Sequence, residues 1–412
     1  MTQALPDLAT AEWLQDKAVR KIFTVLESAG EEVRVVGGAV RNALMGFAIP
    51  DIDIATTATP DKVTALAGTA GLKTVPTGFE HGTVTVVVDG RPFEITTLRE
   101  DIETDGRRAV VRFGRDWTAD ALRRDFTVNT LSVDSSGRVY DPAKGYPDIV
   151  ARRIRFIGDP GQRIAEDRLR ILRFFRLHAE YGAGEPDRVS LSAAIVAREG
   201  LRDLSAERIG QEMRKLVVAP RATETAALMQ ESGILSAVLG GVAFLAPFSR
   251  LAGFEKAAGM KLSPARRLAV LACRVEEDVL RTTERLRLSN AVRDRMSAIV
   301  SLTPGLSRAP DTKGSRRLLY AHGVDLYRDV IAAAFAWNGG PESVWRDVLG
   351  APERWAIPKF PLGGQDVLSG GLRGPAVGAL LRSIEAWWIE QDFAPDERAL
   401  RARLQQMMAA AQ

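Results

Sequence analysis

Strand signals stop near residue 150. Before that point short β-branched runs alternate with amphipathic stretches; beyond it helical patterns alone follow one another to residue 412. A chain divided this way reads as a small α/β head on a long all-helical remainder. The expected class is α+β, with a small mixed sheet and flanking helices over 1–150 and an all-α remainder.

Within the first part, Leu14, Ala18, Ile22, Val25, Leu26 and Ala29 recur at helical spacing, and Gly30 ends that helix. "VRVV" predicts a strand, followed by Gly37-Gly38, a helix through "AVRNALMG" and a strand over "DIDIAT". Pro60 opens another helix, and "GTVTVVVDG" and "RPFEITTL" predict two strands joined at Asp89-Gly90. "RRDFTVNTLSVDSSGRVYDP" starts helical and ends in a hairpin around Ser136-Gly137.

Composition removes several function classes. Cys273 is the only cysteine, so neither an intrachain disulfide nor a thiolate zinc cluster can form, and a reducing cytoplasm is the expected location. His81, His178 and His322 are too few for a multi-histidine metal motif, which leaves oxygen-ligated metals open. No apolar run is long enough to cross a bilayer, and "MTQALPDLATAEWLQDK" is not a secretory signal. The net charge of +4 is modest, but arginines crowd 107–124 and 152–176. Their planar forks suit phosphate, although a solvated helical surface is the plainer alternative.

Three groups in the first part carry chemistry. "VVGGAVR" runs a strand into two glycines and a helix, which exposes N–H groups to a phosphate and puts Arg41 on the first turn. Asp51 and Asp53 alternate on a predicted strand and so share a face, where their like charges repel. Mg²⁺ would neutralise them; a strand with a wet outer face is the alternative. Glu94 on a neighbouring strand is either a third carboxylate or an outward-facing glutamate. "RRDFTVN" sets a basic pair, an acid and an amide on one or two helical turns, able to grip triphosphate and ribose.

In order, "GGAVRN", Asp51 nine residues beyond Asn42, "RRDFTVNTL" and "AEDRLRILRFFR" resemble the class II nucleotidyltransferases, the tRNA CCA-adding enzymes and their poly(A) polymerase relatives. The resemblance covers roughly residues 20–220. It implies a head similar to DNA polymerase β over 1–150, a helical neck for base selection over 151–220, and a tRNA-binding body and tail over 221–412. It implies that Gly37, Gly38 and Arg41 contact the nucleotide, that Asp51 and Asp53 bind Mg²⁺ for catalysis with Glu94 beside them, that Arg124 grips the triphosphate, and that Asn129 lies near the ribose. "YDPAKGYPDI" resembles the family's head–neck junction motif and "LSAERIGQEMRKLV" its later structural motif. The chain departs in having Asn42 where Asp is usual and Gly145-Tyr146 where two glycines are usual.

Asp167, Arg170, Arg173 and Arg176 recur every third residue and are expected on one helix face, with Ile164, Ile171, Leu172, Phe175 and Ala179 opposite. Aspartate only accepts and arginine only donates, which matches the amino group and ring nitrogen shared by cytosine and adenine and opposes guanine and uracil. A salt-bridged outer helix face is the alternative. The resemblance assigns base choice to Asp167 and Arg170 and so implies CTP, ATP and tRNA as partners. It also implies that "REDIETDGRRAVVRFGRDWTADA", which reads as a long charged loop, helps switch from C to A addition. Gly374-Pro375 starts a helix whose free N–H groups could meet RNA phosphate, unless Trp387 and Trp388 simply pack it inward. No histidine is followed by Asp, which excludes a His-Asp phosphohydrolase centre. The expected activity is template-independent CCA addition; a poly(A) polymerase or A-adding enzyme, and an inactive RNA-binding protein on the same scaffold, are the rivals.

Overall fold

A computed structural model describes residues 4–105, 108–368 and 373–410, in two compact units, Met1–Gly240 and Gly241–Gln412. The first unit runs α1 (Lys17–Glu27), β1 (Val33–Val36), α2 (Gly38–Met45), β2 (Ile54–Thr56), α3 (Pro60–Thr69), β3 (Lys73–Gly78), β4 (Thr83–Val88), β5 (Arg91–Thr97), β6 (Arg99–Asp105), β7 (Arg108–Phe113), α4 (Trp117–Leu122), β8 (Ser132–Val133), β9 (Val139–Tyr140) and α5 (Tyr146–Val150). It continues helically through α6 (Pro160–Glu166), α7 (Arg170–Tyr181), α8 (Arg188–Val196), α9 (Ala206–Leu216), α10 (Ala222–Glu231) and α11 (Ile234–Leu239).

The sheet has seven strands in the order β3-β4-β5-β2-β1-β8-β9. β2 and β5 run parallel and the other neighbours antiparallel, so the expected small mixed sheet is present. α1 buries Ala18, Val19, Ile22, Phe23 and Leu26, each large member worth about 1.5–3 kcal/mol, and Asp16 caps its first turn. Gly30 ends it at φ +80°.

Four local expectations are corrected. Asp51 and Asp53 precede the strand rather than lie on it, since β2 starts at Ile54; the Asp53 carbonyl nevertheless accepts from Val36 N–H at 3.0 Å. The segment after Glu94 is no plain loop: β6 and β7 pair as a separate hairpin and α4 follows, with Arg107 outside the described residues. "RRDFTVN" is a helix end and a 3₁₀ turn at Thr127–Asn129, joined through a bridge from Phe126 to Phe156. The long helix over Asp167 is two helices, because Asp167 is extended at φ −154° and its Oδ1 accepts from Leu169 N–H at 3.1 Å. That local bond competes with the helical ladder and stops it.

Phe126, Phe156, Phe174 and Phe175 form the aromatic core that sets these pieces. Phe126 and Phe156 have centroids 4.7 Å apart, and Phe174 lies 5.9 Å from Phe156 and 5.3 Å from Phe175. Asp148, with no exposed surface, accepts from Thr127 Oγ1 at 2.6 Å and from Arg155 Nε at 3.0 Å, and pairs with Arg153. Gly145 approaches the Thr127 carbonyl so closely that a Cβ would lie 2.1 Å from it, whereas Tyr146 simply opens α5. The departure at Tyr146 therefore leaves the turn intact.

The second unit is all helical in its described residues. Arg266 meets Asp329 at 2.6 Å and Glu255 at 2.5 Å, Arg267 meets Glu255 at 2.6 Å, and Arg295 meets Asp329 at 2.7 Å, so buried charges are balanced in a network. Pro375–Glu390 forms a helix from Gly374-Pro375, and Trp388 packs with Leu362, Val367, Ile384, Leu400 and Leu404, with Trp387 half-buried beside them.

Candidate active site

β1 delivers the chain to Gly37 at φ +66°, a left-handed conformation that favours glycine. A Cβ there would also stand 2.9 Å from Nη1 of Arg124. α2 starts at Gly38 and carries Arg41, which is 7% exposed. Arg41 Nη1 donates to Asn129 Oδ1 at 2.6 Å, its Nε and Nη2 donate to Asn42 Oδ1 at 3.2 and 2.9 Å, and its guanidinium lies 3.9 Å from the Tyr181 ring centroid. Burial draws its pKa below the ordinary arginine value. Asn42 Nδ2 donates in turn to the Ala48 carbonyl at 2.7 Å. An aspartate could accept from Arg41 but could not donate to Ala48, so the amide makes both tethers.

The parallel register places Ile54 beside Ile95, and Asp53 and Glu94 are the residues one step before. Burial first, then the charge of Glu94, holds Asp53 above the usual carboxylate range; Arg124 pulls it down and Asp51 adds a smaller upward push. Asp51, Asp53 and Glu94 all keep solvent-open surface, so the packing around Asp53 desolvates its carboxylate without covering it. Among the described residues no three His, Cys, Asp or Glu side chains close around an ion by themselves. Hard oxygens with an open side nonetheless fit Mg²⁺, which keeps waters and takes substrate phosphate oxygens as further ligands.

A cleft of about 450 Å³ brings Gly38, Arg41, Asp51, Asp53, Arg176 and Lys215 to one place. Arg124 stands nearby, its Nη2 3.3 Å from Asp120 Oδ2. Asn129 Nδ2 donates to Asp125 Oδ1 at 3.1 Å, and Arg173 Nε lies 2.6 Å from Asp125 Oδ2. Burial works to raise Asp125, but Arg173 and the Asn129 amide outweigh it, and the pKa is lowered. A continuous polar chain, Arg41–Asn129–Asp125–Arg173, thus runs from α2 to α7.

Asp167 leaves the expected shared face, because α7 begins only at Arg170; Arg170, Arg173 and Arg176 keep their three-residue spacing on that one helix, each side chain with its own partner. Asp167 Oδ2 accepts from Arg208 Nη2 at 2.6 Å. Arg170 Nη1 pairs with Glu166 and donates to the Arg163 carbonyl at 2.8 Å. Arg176 meets Glu212 at 2.5 Å and Glu180 at 3.1 Å. Arg168 lies over Gly200 and reaches Asp203 at 3.4 Å.

Residues 33–155 match the family described as the poly A polymerase head domain, and residues 190–245 one described as a probable RNA and SrmB-binding site of polymerase A. The chain is 31% identical over 382 residues, 92% of its length and 87% of the relative's, to CCA tRNA nucleotidyltransferase 1, mitochondrial, of Mus musculus. It belongs to the class II nucleotidyltransferases, the family of CCA-adding enzymes and poly(A) polymerases. It is also 35% identical over 342 residues, 80% of each chain, to the CCA-adding enzyme of Geobacillus stearothermophilus. The solved CCA-adding enzyme of Bacillus stearothermophilus in complex with CTP superimposes with a TM-score of 0.78 at 26% identity, covering 96% of this chain and 98% of that one.

In this nucleotidyltransferase, Glu166, Arg208 and Tyr181 join the site although the sequence reading gave them no role, whereas Asp125 stands there as the acid of "RRDFTVN". Glu166 and Arg208 stand inside motifs quoted for other reasons, so the acid–base alternation there was a usable signal. Tyr181 carried none, because its partner Arg41 is 140 residues away in sequence.

Proposed function

We propose that the chain adds C, C and A in turn to the 3′ end of tRNA from CTP and ATP, releasing pyrophosphate at each step. The observation that carries this is Asp53, flanked by Asp51 and Glu94 and faced by Arg124, at a cleft that also holds Arg41 and Arg176. The terminal ribose hydroxyl gives up its proton to solvent as its oxygen attacks the α-phosphorus; a new O–P bond forms as the bond from that phosphorus to the oxygen bridging to the β-phosphate breaks and pyrophosphate leaves. Mg²⁺ held by Asp51 and Asp53 would neutralise charge on the attacking and leaving oxygens. Arg124 and Arg41 hold negative phosphate oxygens, and Gly37 admits Arg124 by lacking a side chain. Asn129, oriented from both sides by Arg41 and Asp125, is set for the ribose.

Asp167 and Arg170 choose the base. An accepting carboxylate beside a donating guanidinium suits cytosine and adenine, and a wrong base leaves buried polar groups unpaired at about 1–3 kcal/mol each. Arg208 fixes the first of the pair and Glu166 the second. Residues 151–220 act as the neck that presents this pair, and 221–412 as the body and tail that hold tRNA. Among the described residues no helix is long and apolar enough to cross a membrane. One buried cysteine fits a reducing compartment, such as the cytoplasm.

Asp51→Asn and Asp53→Asn test the reading. Each should remove incorporation of labelled CMP and AMP while tRNA retention on a filter stays near wild type. Full incorporation by both variants would assign the chemistry elsewhere.

A further inference from the structure

Asp120 is 4% exposed on the short helix α4, yet nothing in the transfer chemistry calls for it. Its oxygens receive four donors. Oδ1 accepts from Nε and Nη2 of Arg123 at 2.9 and 2.7 Å and from the backbone N–H of Arg99 at 3.4 Å; Oδ2 accepts from Nη2 of Arg124 at 3.3 Å.

Arg99 is the first residue of the β6–β7 hairpin. Just before it, fully buried Leu98 donates its N–H to the Thr56 carbonyl of β2 at 2.9 Å and accepts from Gly114 N–H at 2.8 Å. The far side of the root is held as well. Arg115 Nη1 reaches Glu31 Oε2 at 2.9 Å, Trp117 Nε1 donates to Glu32 at 2.7 Å, and Arg34 stacks 4.0 Å from the Trp117 ring. The hairpin is therefore rooted on the catalytic sheet, and one of its backbone donors aims at the carboxylate that also receives Arg124.

The other contact of Arg124, Nη1 to the Asn129 carbonyl, is 3.5 Å long. Asp120 supplies the charged restraint. One carboxylate facing two guanidiniums leaves positive charge over for phosphate, while removing rotamer freedom that binding would otherwise have to freeze.

We propose that Asp120 is a positioning residue that holds Arg124 opposite Asp53 and couples it to the root of the β6–β7 hairpin, so that displacing one displaces the other. This rests on Arg124 gripping the triphosphate. The test is steady-state kinetics on the full chain, with CTP on tRNA lacking CCA and ATP on tRNA ending in CC. Asp120→Asn should raise KM for both nucleotides about tenfold and leave KM for tRNA within about twofold. Asp120→Glu, which keeps the charge, should recover most of that loss. In an Arg124→Ala background Asp120→Asn should add less than about twofold, because the group it acts through is gone. Saturating CTP should slow amide exchange at Arg99 in the wild type and not in Asp120→Ala. Unchanged nucleotide KM in Asp120→Asn beside a raised KM in Arg124→Ala overturns the proposal alone, as does a full tenfold effect that persists without Arg124 or a loss confined to kcat. A normal nucleotide KM in Arg124→Ala overturns the assignment of Arg124, and the proposal with it.

Discussion

Nη2 of Arg208 lies 2.6 Å from Oδ2 of Asp167, while the Leu169 N–H holds the other oxygen at 3.1 Å. Both contacts aim one carboxylate, and neither needs the helix that was expected to carry it. Arg208→Ala should therefore loosen base choice rather than tRNA binding. Misincorporation of UMP or GMP in single-nucleotide assays should rise about tenfold, the equivalent of one charged hydrogen bond. Asp167→Ala should relax choice further than it weakens tRNA binding. Unchanged selectivity in both variants would remove Asp167 from base recognition.

Asp53 makes a linked prediction about pH and stability. Its pKa is raised, by burial and by Glu94, so folding disfavours its charged form. A raised carboxylate stabilises only where it is protonated, and the penalty appears as pH climbs through its folded value. Asp53→Asn should thus raise Tm at pH 7 while removing activity, and the Tm difference should shrink in acid. A Tm lowered by Asp53→Asn at pH 7 contradicts this account.

Glu31 behaves in the opposite sense. Burial works against its charge, but Lys62, Thr57 and Arg115 outweigh it and bring its pKa from 4.5 to about 2. Its stabilising contribution is complete above about 4.5 and drains away as pH falls toward about 2. With Lys62 and Arg115 largely in solvent, Glu31→Gln should cost about 2 kcal/mol at pH 7 by denaturant titration, and close to nothing near pH 2.

Phe174 is fully buried between Phe126, Phe156 and Phe175. Phe174→Ala should cost about 3–5 kcal/mol, since the cluster is too tightly tied to collapse around the gap. Because the same rings seat the "RRDFTVN" segment against α7, nucleotide KM should rise in the folded fraction as well.

Much of this was legible in the residues. The end of the strands before residue 150, the Gly-Gly turn and the Ser136-Gly137 hairpin rest on local chemistry, periodicity and glycine, and all stand. What misled was regularity. Asp51 and Asp53 alternate as on a strand, yet the ladder begins only at Ile54, and a parallel neighbour, not alternation, brings Glu94 beside Asp53. The three-residue spacing from Asp167 to Arg176 is one helix face only from Arg170 on, because the side-chain bond of Asp167 to Leu169 N–H ends the preceding helix. Pairings such as Arg208 with Asp167 and Asp125 with Arg173 join residues 41 and 48 positions apart, and no local pattern encodes them.

The most direct test supplies Mg²⁺ and single labelled nucleotides with tRNAs lacking CCA, CC or the final A. The account predicts CMP on the first, CMP on a tRNA ending in C, AMP on one ending in CC, and no extension beyond A. Adenylate runs of indefinite length, or no incorporation on any of the three, would contradict it.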